Sequence, residues 1–251
     1  MEKVDLIMFM GQSNMAGRGR AQEAPAVRPG TGYEFRAVTS PDRLYPLTEP
    51  FGKDEDDIAG VYEPGMKTGS LVSAFVNAYV EETGIPVVGV SCAKGGSTIA
   101  EWLPGTPYYQ DGVRRMRRCE TWLKEQKIQI RHRLTVWCQG CTDGDLHTDP
   151  ETYRQRTAHM LHSFLDTCKI ETCFLIRIGN HRDDPKLYLP IQEAQERLAA
   201  QNEDIVLVSR LFATFADRGL MKDQFHYRQK GYDLVGAEAG KNAGRYIVET
   251  R

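Results

Sequence analysis

The chain has 251 residues, 41% of them hydrophobic, which is enough to bury one substantial core. Its 32 basic and 34 acidic residues leave a formal net charge of −2 without a long run of either sign, which argues against nucleic acid or an anionic membrane surface as a partner. The six cysteines are scattered through apolar segments of a chain too large to need disulfides, so buried thiols are expected.

The first predicted element is a buried strand near the amino terminus. Residues 4–10 form an apolar run that is too short to span a membrane and lacks the alternation of a half-exposed strand. Because Glu2 and Lys3 precede it directly, it is interpreted as a core strand rather than a secretory signal. A cytoplasmic location is expected, with a processed secreted protein as the alternative. Small and polar residues follow at 11–19. Open α/β sheets bind ligands at the carboxyl ends of their strands, so Ser13 is a candidate nucleophile.

Four further apolar runs alternate with helical patterns along the chain. Strands are predicted at 85–91, 134–138, 173–178 and 205–209, and helices at 70–82, 113–126, 150–167, 189–200 and 229–249. This alternation predicts an α/β fold, a three-layer αβα sandwich with a central five-stranded parallel sheet. Nothing marks an internal boundary, so residues 1–251 are expected to form a single domain. The irregular segment at about 20–67 is too long for a bare connector and is expected to be an ordered insertion beside the site.

The nearest approach to a basic patch is a group of four arginines in the predicted helix at 113–126: Arg114, Arg115, Arg117 and Arg118. Apolar neighbours recur around them at helical spacing. This pattern favours a solvated helix face, with an anion or partner contact as the alternative.

A base and an orienting acid for Ser13 can be found near the carboxyl terminus. A serine hydroxyl needs a neighbouring base whose second nitrogen is held by an acceptor. Asp223 and His226 are three residues apart in a polar turn before the last helix, a spacing that lets the carboxylate fold back onto the imidazole. The motif alone is also typical of a helix N-cap followed by a surface histidine. The order Ser, Asp, His along one chain favours the catalytic interpretation.

Two segments that directly follow predicted strands could donate hydrogen bonds to an oxyanion. In CAKGGSTIAEW, Gly95 and Gly96 allow backbone N–H groups to approach a ligand closely, although an ordinary strand-to-helix turn has the same pattern. In VWCQGCTDG, Gln139 carries an amide donor but could equally satisfy its own turn. Trp102, after the glycines, could offer a substrate-binding face to a sugar ring or pack in the core.

The acidic loop DGDLHTD raises a metal-dependent alternative. His147 could bind a cation together with Asp143, Asp145 and Asp149, but no spacing in this loop is diagnostic of a metal site. A single C-x-x-C at 138–141 has no second pair and is weak evidence for zinc or redox chemistry. The favoured chemistry therefore uses no metal and no cofactor.

Three of these segments together resemble the SGNH hydrolase superfamily, specifically the carbohydrate esterases of family 6 and the related sialate O-acetylesterases. GQSNMAGRG at 11–19 is similar to the family's nucleophile block, GGSTIAEW at 95–102 to its glycine block, and DQFHYRQKG at 223–231 to its Asp-His block. The resemblance implies hydrolysis of O-acetyl esters of carbohydrates through an acyl-enzyme intermediate, with a small acetylated carbohydrate as the partner.

The resemblance also implies a role for each residue of the site. Ser13 is the implied nucleophile, His226 the general base and then acid, and Asp223 the residue that orients it. The implied oxyanion hole consists of the backbone amides of Ser13 and Gly96 with the side chain of Gln139.

One block departs from the family pattern. Family members usually carry W-x-Q-G-E-x-D, whereas this chain has WCQGCTDG, with Cys141 where Glu is expected. A thiol supplies neither a fixed negative charge nor a strong acceptor at neutral pH. Three alternative functions stay open: a non-catalytic carbohydrate-binding module, a lipid or thioester hydrolase on the same fold, and a metal-dependent hydrolase. The sequence does not indicate the oligomeric state.

Overall fold

The computed structural model describes residues 1–250. Its strands are β1 (Lys3–Gly11), β2 (Gly32–Phe35), β3 (Leu44–Pro46), β4 (Val87–Ala93), β5 (Gln129–Cys138), β6 (Thr172–Ile176) and β7 (Ile205–Ser209). Its α-helices are α1 (Ser13–Ala16), α2 (Val72–Thr83), α3 (Pro107–Glu125), α4 (Cys141–Asp145), α5 (Pro150–Cys168), α6 (Leu189–Gln201) and α7 (Gln229–Thr250). Within these residues no helix combines the length and apolar character needed to cross a membrane.

All of these strands form one sheet in the order β3-β2-β4-β1-β5-β6-β7. Neighbouring strands run parallel except β3, which pairs antiparallel with β2. β4 pairs with one edge of β1, and β5, which follows β4 in the chain, pairs with the other edge of β1. The carboxyl end of β1 therefore lies where the strand order reverses, which is where open α/β sheets bind ligands.

The five predicted strands are confirmed as β1, β4, β5, β6 and β7, but the prediction of a five-stranded sheet is wrong, because the sheet has seven strands. The two additional strands, β2 and β3, come from the irregular segment at 20–67. They contain only four and three residues. Segments this short, between glycines and prolines, show no alternation from which a strand could be predicted.

Helices cover both faces of the sheet. Residues of α2 and α7 share one hydrophobic core with Ile7 and Phe9 of β1, whereas residues of α3, α5 and α6 share the other with Leu6 and Met8. Successive β1 side chains thus alternate between two buried faces. This double coverage explains why β1 is a continuous apolar run rather than an alternating one.

The insertion at 20–67 is held to α3 by a buried charged network. Arg115 is 1% exposed and donates to Asp111 at 2.8 Å, while Glu55 of the insertion lies 3.9 Å away. Asp111 in turn accepts the backbone N–H of Val61 at 2.9 Å. The predicted solvated arginine face is therefore wrong for Arg115, because the insertion covers this part of the helix.

Candidate active site

Ser13 lies just beyond the carboxyl end of β1, at the first residue of α1. The turn before it requires glycine, because Gly11 has a φ of +136° and a Cβ there would lie 2.1 Å from the carbonyl oxygen of Cys138. The N–H of Gln12 donates to the same carbonyl at 2.9 Å. This local geometry places Ser13 in the wall of a cleft at the edge of the sheet.

The structure brings Ser13, His226 and Asp223 together as a hydrogen-bonded chain. His226 Nε2 lies 2.9 Å from Ser13 Oγ, and its Nδ1 lies 2.9 Å from Asp223 Oδ2. A carboxylate acceptor at Nδ1 requires the proton on that nitrogen, which leaves the Nε2 lone pair facing the serine hydroxyl. The arrangement has the geometry of a nucleophile, a base and an orienting acid.

Asp223 is held by its own loop. Its Oδ1 accepts the backbone N–H groups of Phe225 at 3.0 Å and His226 at 2.7 Å. Burial opposes ionisation of this carboxyl, but these hydrogen bonds and the pairing with His226 outweigh burial, so the pKa of Asp223 is lowered. Asp223 is therefore ionised at neutral pH and can orient the imidazole.

The pKa of His226 is lowered from its ordinary value. Burial is the largest cause, because it disfavours the imidazolium form, and the positive charge of Arg18 acts in the same direction. The hydrogen bond and charge of Asp223 oppose this shift without reversing it. His226 is therefore neutral at neutral pH, which is the form that can accept a proton.

Asn14 is a site residue that the sequence analysis missed. Its Nδ2 donates to the carbonyl of Phe225 at 3.0 Å, and its Oδ1 accepts from the Tyr232 hydroxyl at 2.8 Å. Asn14 thus joins the turn that carries Ser13 to the loop that carries His226. Its position directly after Ser13 in the nucleophile block was the available signal.

Two residues that line the cleft carry backbone N–H groups that could donate to an oxyanion. Gly96 lies after β4 with a φ of +71°, and no atom lies within 4 Å of where its Cβ would be. Ser13 and Gly96 line the same cleft. Neither N–H donates to a backbone acceptor within residues 1–250. Both predicted backbone donors therefore remain available to a ligand.

Gln139 is placed differently from its prediction. It is fully buried, and its amide nitrogen donates to the carbonyl of Ser97 at 3.0 Å and to the carboxylate of Asp143. Both amide hydrogens are thereby occupied, and Gln139 does not line the cleft. The prediction that Gln139 is an oxyanion donor is therefore wrong. Its amide group lies beside a buried carboxylate, which is a stronger hydrogen-bond acceptor than a neutral oxygen. Gln139 instead holds Ser97 in the turn after β4.

Trp102 does not offer a face to a substrate. It is 0% exposed, its Nε1 donates to Ser97 Oγ at 2.9 Å, and its ring packs edge-on against Trp137 with 5.4 Å between centroids. The prediction of a substrate-binding role is therefore wrong. The short 3-10 helix Ile99–Trp102 buries the indole in the core, where its N–H also finds a partner.

Other side chains supply the apolar faces of the cleft, which has a volume of about 580 Å³. Tyr62 and Met66 come from the insertion and are 48% and 51% exposed, and Phe225 directly precedes His226. Tyr62 and Met66 could not be predicted from the sequence, because the insertion has no regular period from which the orientation of a side chain could be predicted.

The acidic loop does not assemble a cation site. Asp143 is buried and accepts the N–H of Ile99 at 2.9 Å, while Asp145 accepts from the Tyr188 hydroxyl at 2.6 Å. Asp149 caps α5 by accepting the N–H of Thr152 at 2.8 Å. In the described part of the chain, no three His, Cys, Asp or Glu side chains are grouped so that they could hold a metal ion.

A family model described as "Carbohydrate esterase, sialic acid-specific acetylesterase" matches residues 3–244. The chain belongs to this family. The resemblance predicted from the sequence motifs is thereby confirmed. A relative described as a probable carbohydrate esterase of Arabidopsis thaliana is 27% identical over 193 residues, which are 69% of this chain and 68% of the relative.

Solved structures share the fold of this family member over nearly its full length. A protein from Arabidopsis thaliana has a TM-score of 0.73 at 20% identity, covering 96% of this chain and 98% of that one. NanS has a TM-score of 0.71 at 16% identity, covering 100% and 99%. A carbohydrate acetylesterase from Xanthomonas citri has a TM-score of 0.60 at 14% identity, covering 98% of this chain and 57% of that one. These structures have the same α/β architecture.

Cys141 stands at the position where the resemblance predicted Glu. It is 3% exposed, and burial raises the pKa of its thiol to about 12, so the side chain is neutral. Asn14 Nδ2 lies 3.9 Å from its sulfur. Because Asp223 already occupies the acceptor position at His226 Nδ1, the hydrogen-bonded chain is complete without a carboxylate at 141. All six cysteines are free and buried.

Proposed function

We propose that this protein is a serine esterase that removes O-acetyl groups from carbohydrates through an acyl-enzyme intermediate. The observation that carries the proposal is the hydrogen-bonded chain from Ser13 Oγ through His226 to Asp223, with 2.9 Å at each step. Membership of a carbohydrate esterase family supports the substrate class. The neutral state of His226 supports its role as the base.

The first half-reaction acetylates the enzyme. His226 Nε2 takes the proton of Ser13 Oγ as the oxygen attacks the acetyl carbonyl carbon, and the carbonyl oxygen becomes an oxyanion. The N–H groups of Ser13 and Gly96 donate to this oxyanion. The tetrahedral intermediate then collapses, and the C–O bond to the sugar breaks. His226 gives its proton to the departing sugar oxygen, so the sugar leaves as an alcohol and Ser13 carries the acetyl group.

The second half-reaction restores the enzyme. His226 Nε2 takes a proton from water as the water oxygen attacks the acetyl-serine carbonyl, and the same two N–H groups bind the new oxyanion. Collapse breaks the bond to Ser13 Oγ, which recovers its proton from His226. Acetic acid leaves and ionises in solution. Asp223 stays ionised throughout and stabilises the imidazolium in each half-reaction.

Release of acetate from a panel of O-acetylated sugars tests this function directly. The wild-type protein is expected to release acetate from at least one of them, and the Ser13→Ala protein from none above the rate without enzyme. A non-catalytic binding module would instead bind the sugars with an unchanged acetyl content. Absence of Ser13-dependent acetate release across the panel, with sugar binding retained, would contradict the proposal.

The acid limb of the pH profile is expected below the ordinary histidine value of about 6.5. The reaction needs neutral His226, and burial lowers its pKa, so protonation abolishes activity only at more acidic pH. The measurement is kcat/KM for an acetyl ester between pH 4 and 8, which reports the free enzyme. A limb clearly above 6.5 would contradict the assignment of His226 as a buried base.

A preference for acetyl over long acyl groups is expected to separate this function from lipid or thioester hydrolysis. The exposed apolar side chains of the cleft are few, and polar residues such as Gln12, Thr142 and Asp145 line it as well. Each added methylene that fits badly should cost roughly 1–3 kcal/mol. The test compares kcat/KM for acetate, butyrate and octanoate esters of one leaving group. Equal values for acetate and octanoate would favour the lipase-like alternative.

A further inference from the structure

A buried ion pair touches three segments that border the cleft. Glu63 comes from the insertion and Arg18 follows α1, and their side chains are 6% and 8% exposed. Arg18 also donates to the carbonyl oxygens of Gly17 at 3.2 Å and Met66 at 2.9 Å. Glu63 Oε1 accepts the N–H of Gly95 at 3.1 Å. The pair thus connects the nucleophile turn, the insertion and the turn after β4.

The turn that carries the Gly96 N–H continues past the last backbone hydrogen bond to the sheet. The last backbone hydrogen bond from this turn to β1 runs from the N–H of Lys94 to the carbonyl of Gly11 at 2.9 Å. Past it, the N–H of Gly95 is bound by Glu63, and the Gly95 carbonyl accepts from Lys94 Nζ at 2.9 Å. The N–H of Gly96 belongs to the same planar peptide as that carbonyl. The N–H that Glu63 binds belongs to the preceding peptide, so only the φ and ψ of Gly95 separate the Gly96 N–H from the group that Glu63 holds.

Glu63 is packed directly against this backbone. A Cβ on Gly95 would lie 2.3 Å from Glu63 Oε1 and 2.4 Å from Arg18 Nη2, so a side chain at this position would displace the ion pair. The second carboxylate oxygen, Oε2, is buried and has no hydrogen-bond partner among residues 1–250. The hydrogen bond from Gly95 and the ion pair with Arg18 both use the other oxygen, Oε1.

We propose that Glu63 is a positioning residue for the esterase reaction. It holds the N–H of Gly95 so that the N–H of Gly96 is already directed at the developing oxyanion, and Arg18 fixes the carboxylate in place. Donors oriented before the reaction stabilise the transition state more than the bound substrate. The proposal rests on the proposed function. It means that the insertion, through Glu63, supports the oxyanion hole.

The test replaces Glu63 and separates kcat from KM on a small acetyl ester such as p-nitrophenyl acetate. Outright loss of an oxyanion donor costs about 100- to 1000-fold in kcat, so a donor that is only misdirected in Glu63→Ala is expected to cost about 10- to 100-fold, with KM within about twofold. Glu63→Gln keeps an acceptor oxygen for Gly95 and is expected to retain kcat within about fivefold. An alkylboronic acid, which forms a tetrahedral adduct with a reactive serine, should bind Glu63→Ala more weakly by a factor similar to the loss in kcat.

Glu55→Ala is the matched control. Glu55 is also a buried glutamate of the insertion beside an arginine, and it accepts the backbone N–H groups of Val38 at 3.0 Å and Thr39 at 3.2 Å. It does not contact the turn after β4, so its loss should lower Tm and leave kcat within about threefold. A wild-type kcat in Glu63→Ala, or an equal fall in both alanine variants, would overturn the positioning role.

A second comparison applies if Glu63→Ala does not fold. Glu63→Asp keeps a charge for Arg18 but withdraws the acceptor from Gly95 by one methylene, and is expected to have a several-fold lower kcat than Glu63→Gln. Equal kcat in Asp, Gln and wild-type proteins would overturn the proposal. Ser13-dependent turnover that is insensitive to Glu63 refutes only the positioning role, whereas wild-type protein without Ser13-dependent turnover refutes the proposed function itself.

Discussion

Ser13→Ala is expected to lower kcat for acetyl ester hydrolysis by at least about 1000-fold, and His226→Ala by a similar factor. The nucleophile and its base act as one unit, so either loss alone removes the acyl-enzyme route. The double variant should therefore be hardly slower than either single variant. Steady-state rates for the three variants on one acetyl ester, together with a thermal melt of each, check this expectation.

Ser73→Ala is the control for the nucleophile. Ser73 lies in α2, is 1% exposed, and its hydroxyl has no hydrogen-bond partner in the described part of the chain. Its removal deletes a buried serine hydroxyl without touching the cleft, so activity should stay within about twofold. A Ser13→Ala protein that folds and turns over at the wild-type rate would show that another group is the nucleophile.

Asp223→Asn is expected to lower kcat by about 10,000-fold with little change in Tm. The asparagine Oδ1 can still accept the N–H groups of Phe225 and His226. Its NH₂ group then faces His226 Nδ1, which must become the unprotonated nitrogen. The proton moves to Nε2, and His226 can no longer accept the proton of Ser13. The reversed amide would place NH₂ against two backbone donors and is unfavourable.

Asp42→Asn makes the same change in charge away from the cleft. Asp42 is exposed and pairs with Arg43 at 3.4 Å, so its substitution should leave kcat/KM within about twofold. Nitrogen NMR of the imidazole should show the Nε2–H tautomer in Asp223→Asn and the Nδ1–H tautomer in wild type. An Asp223→Asn protein within about tenfold of wild type would mean that Asp223 does not select the tautomer.

The irregular segment at 20–67 shows why part of the site escaped prediction. Its two strands have four and three residues, and its contributions to the cleft, Tyr62 and Glu63, follow no period. The segment contacts α3 through Asp111, which accepts the N–H of Val61, and through Arg115, which lies 3.9 Å from Glu55. The helical pattern alone could not distinguish Arg115 from a solvated arginine. A sequence shows that a side chain is charged, but it does not show whether another segment of the chain covers that side chain.

Local pattern by itself predicted the apolar parts of five strands, because a parallel strand covered by helices on both faces is apolar where it is buried. It also predicted Ser13, Asp223 and His226, from their order along the chain and the resemblance of their blocks to one family, and the structure places these three side chains within hydrogen-bonding distance. The tertiary structure alone decided what Gln139 and Trp102 do. Both residue types would also suit a ligand-binding cleft. Asp143 comes within hydrogen-bonding distance of Gln139, and Ser97 of Trp102, only in the folded chain. A buried donor is paired with the acceptor that folding places beside it.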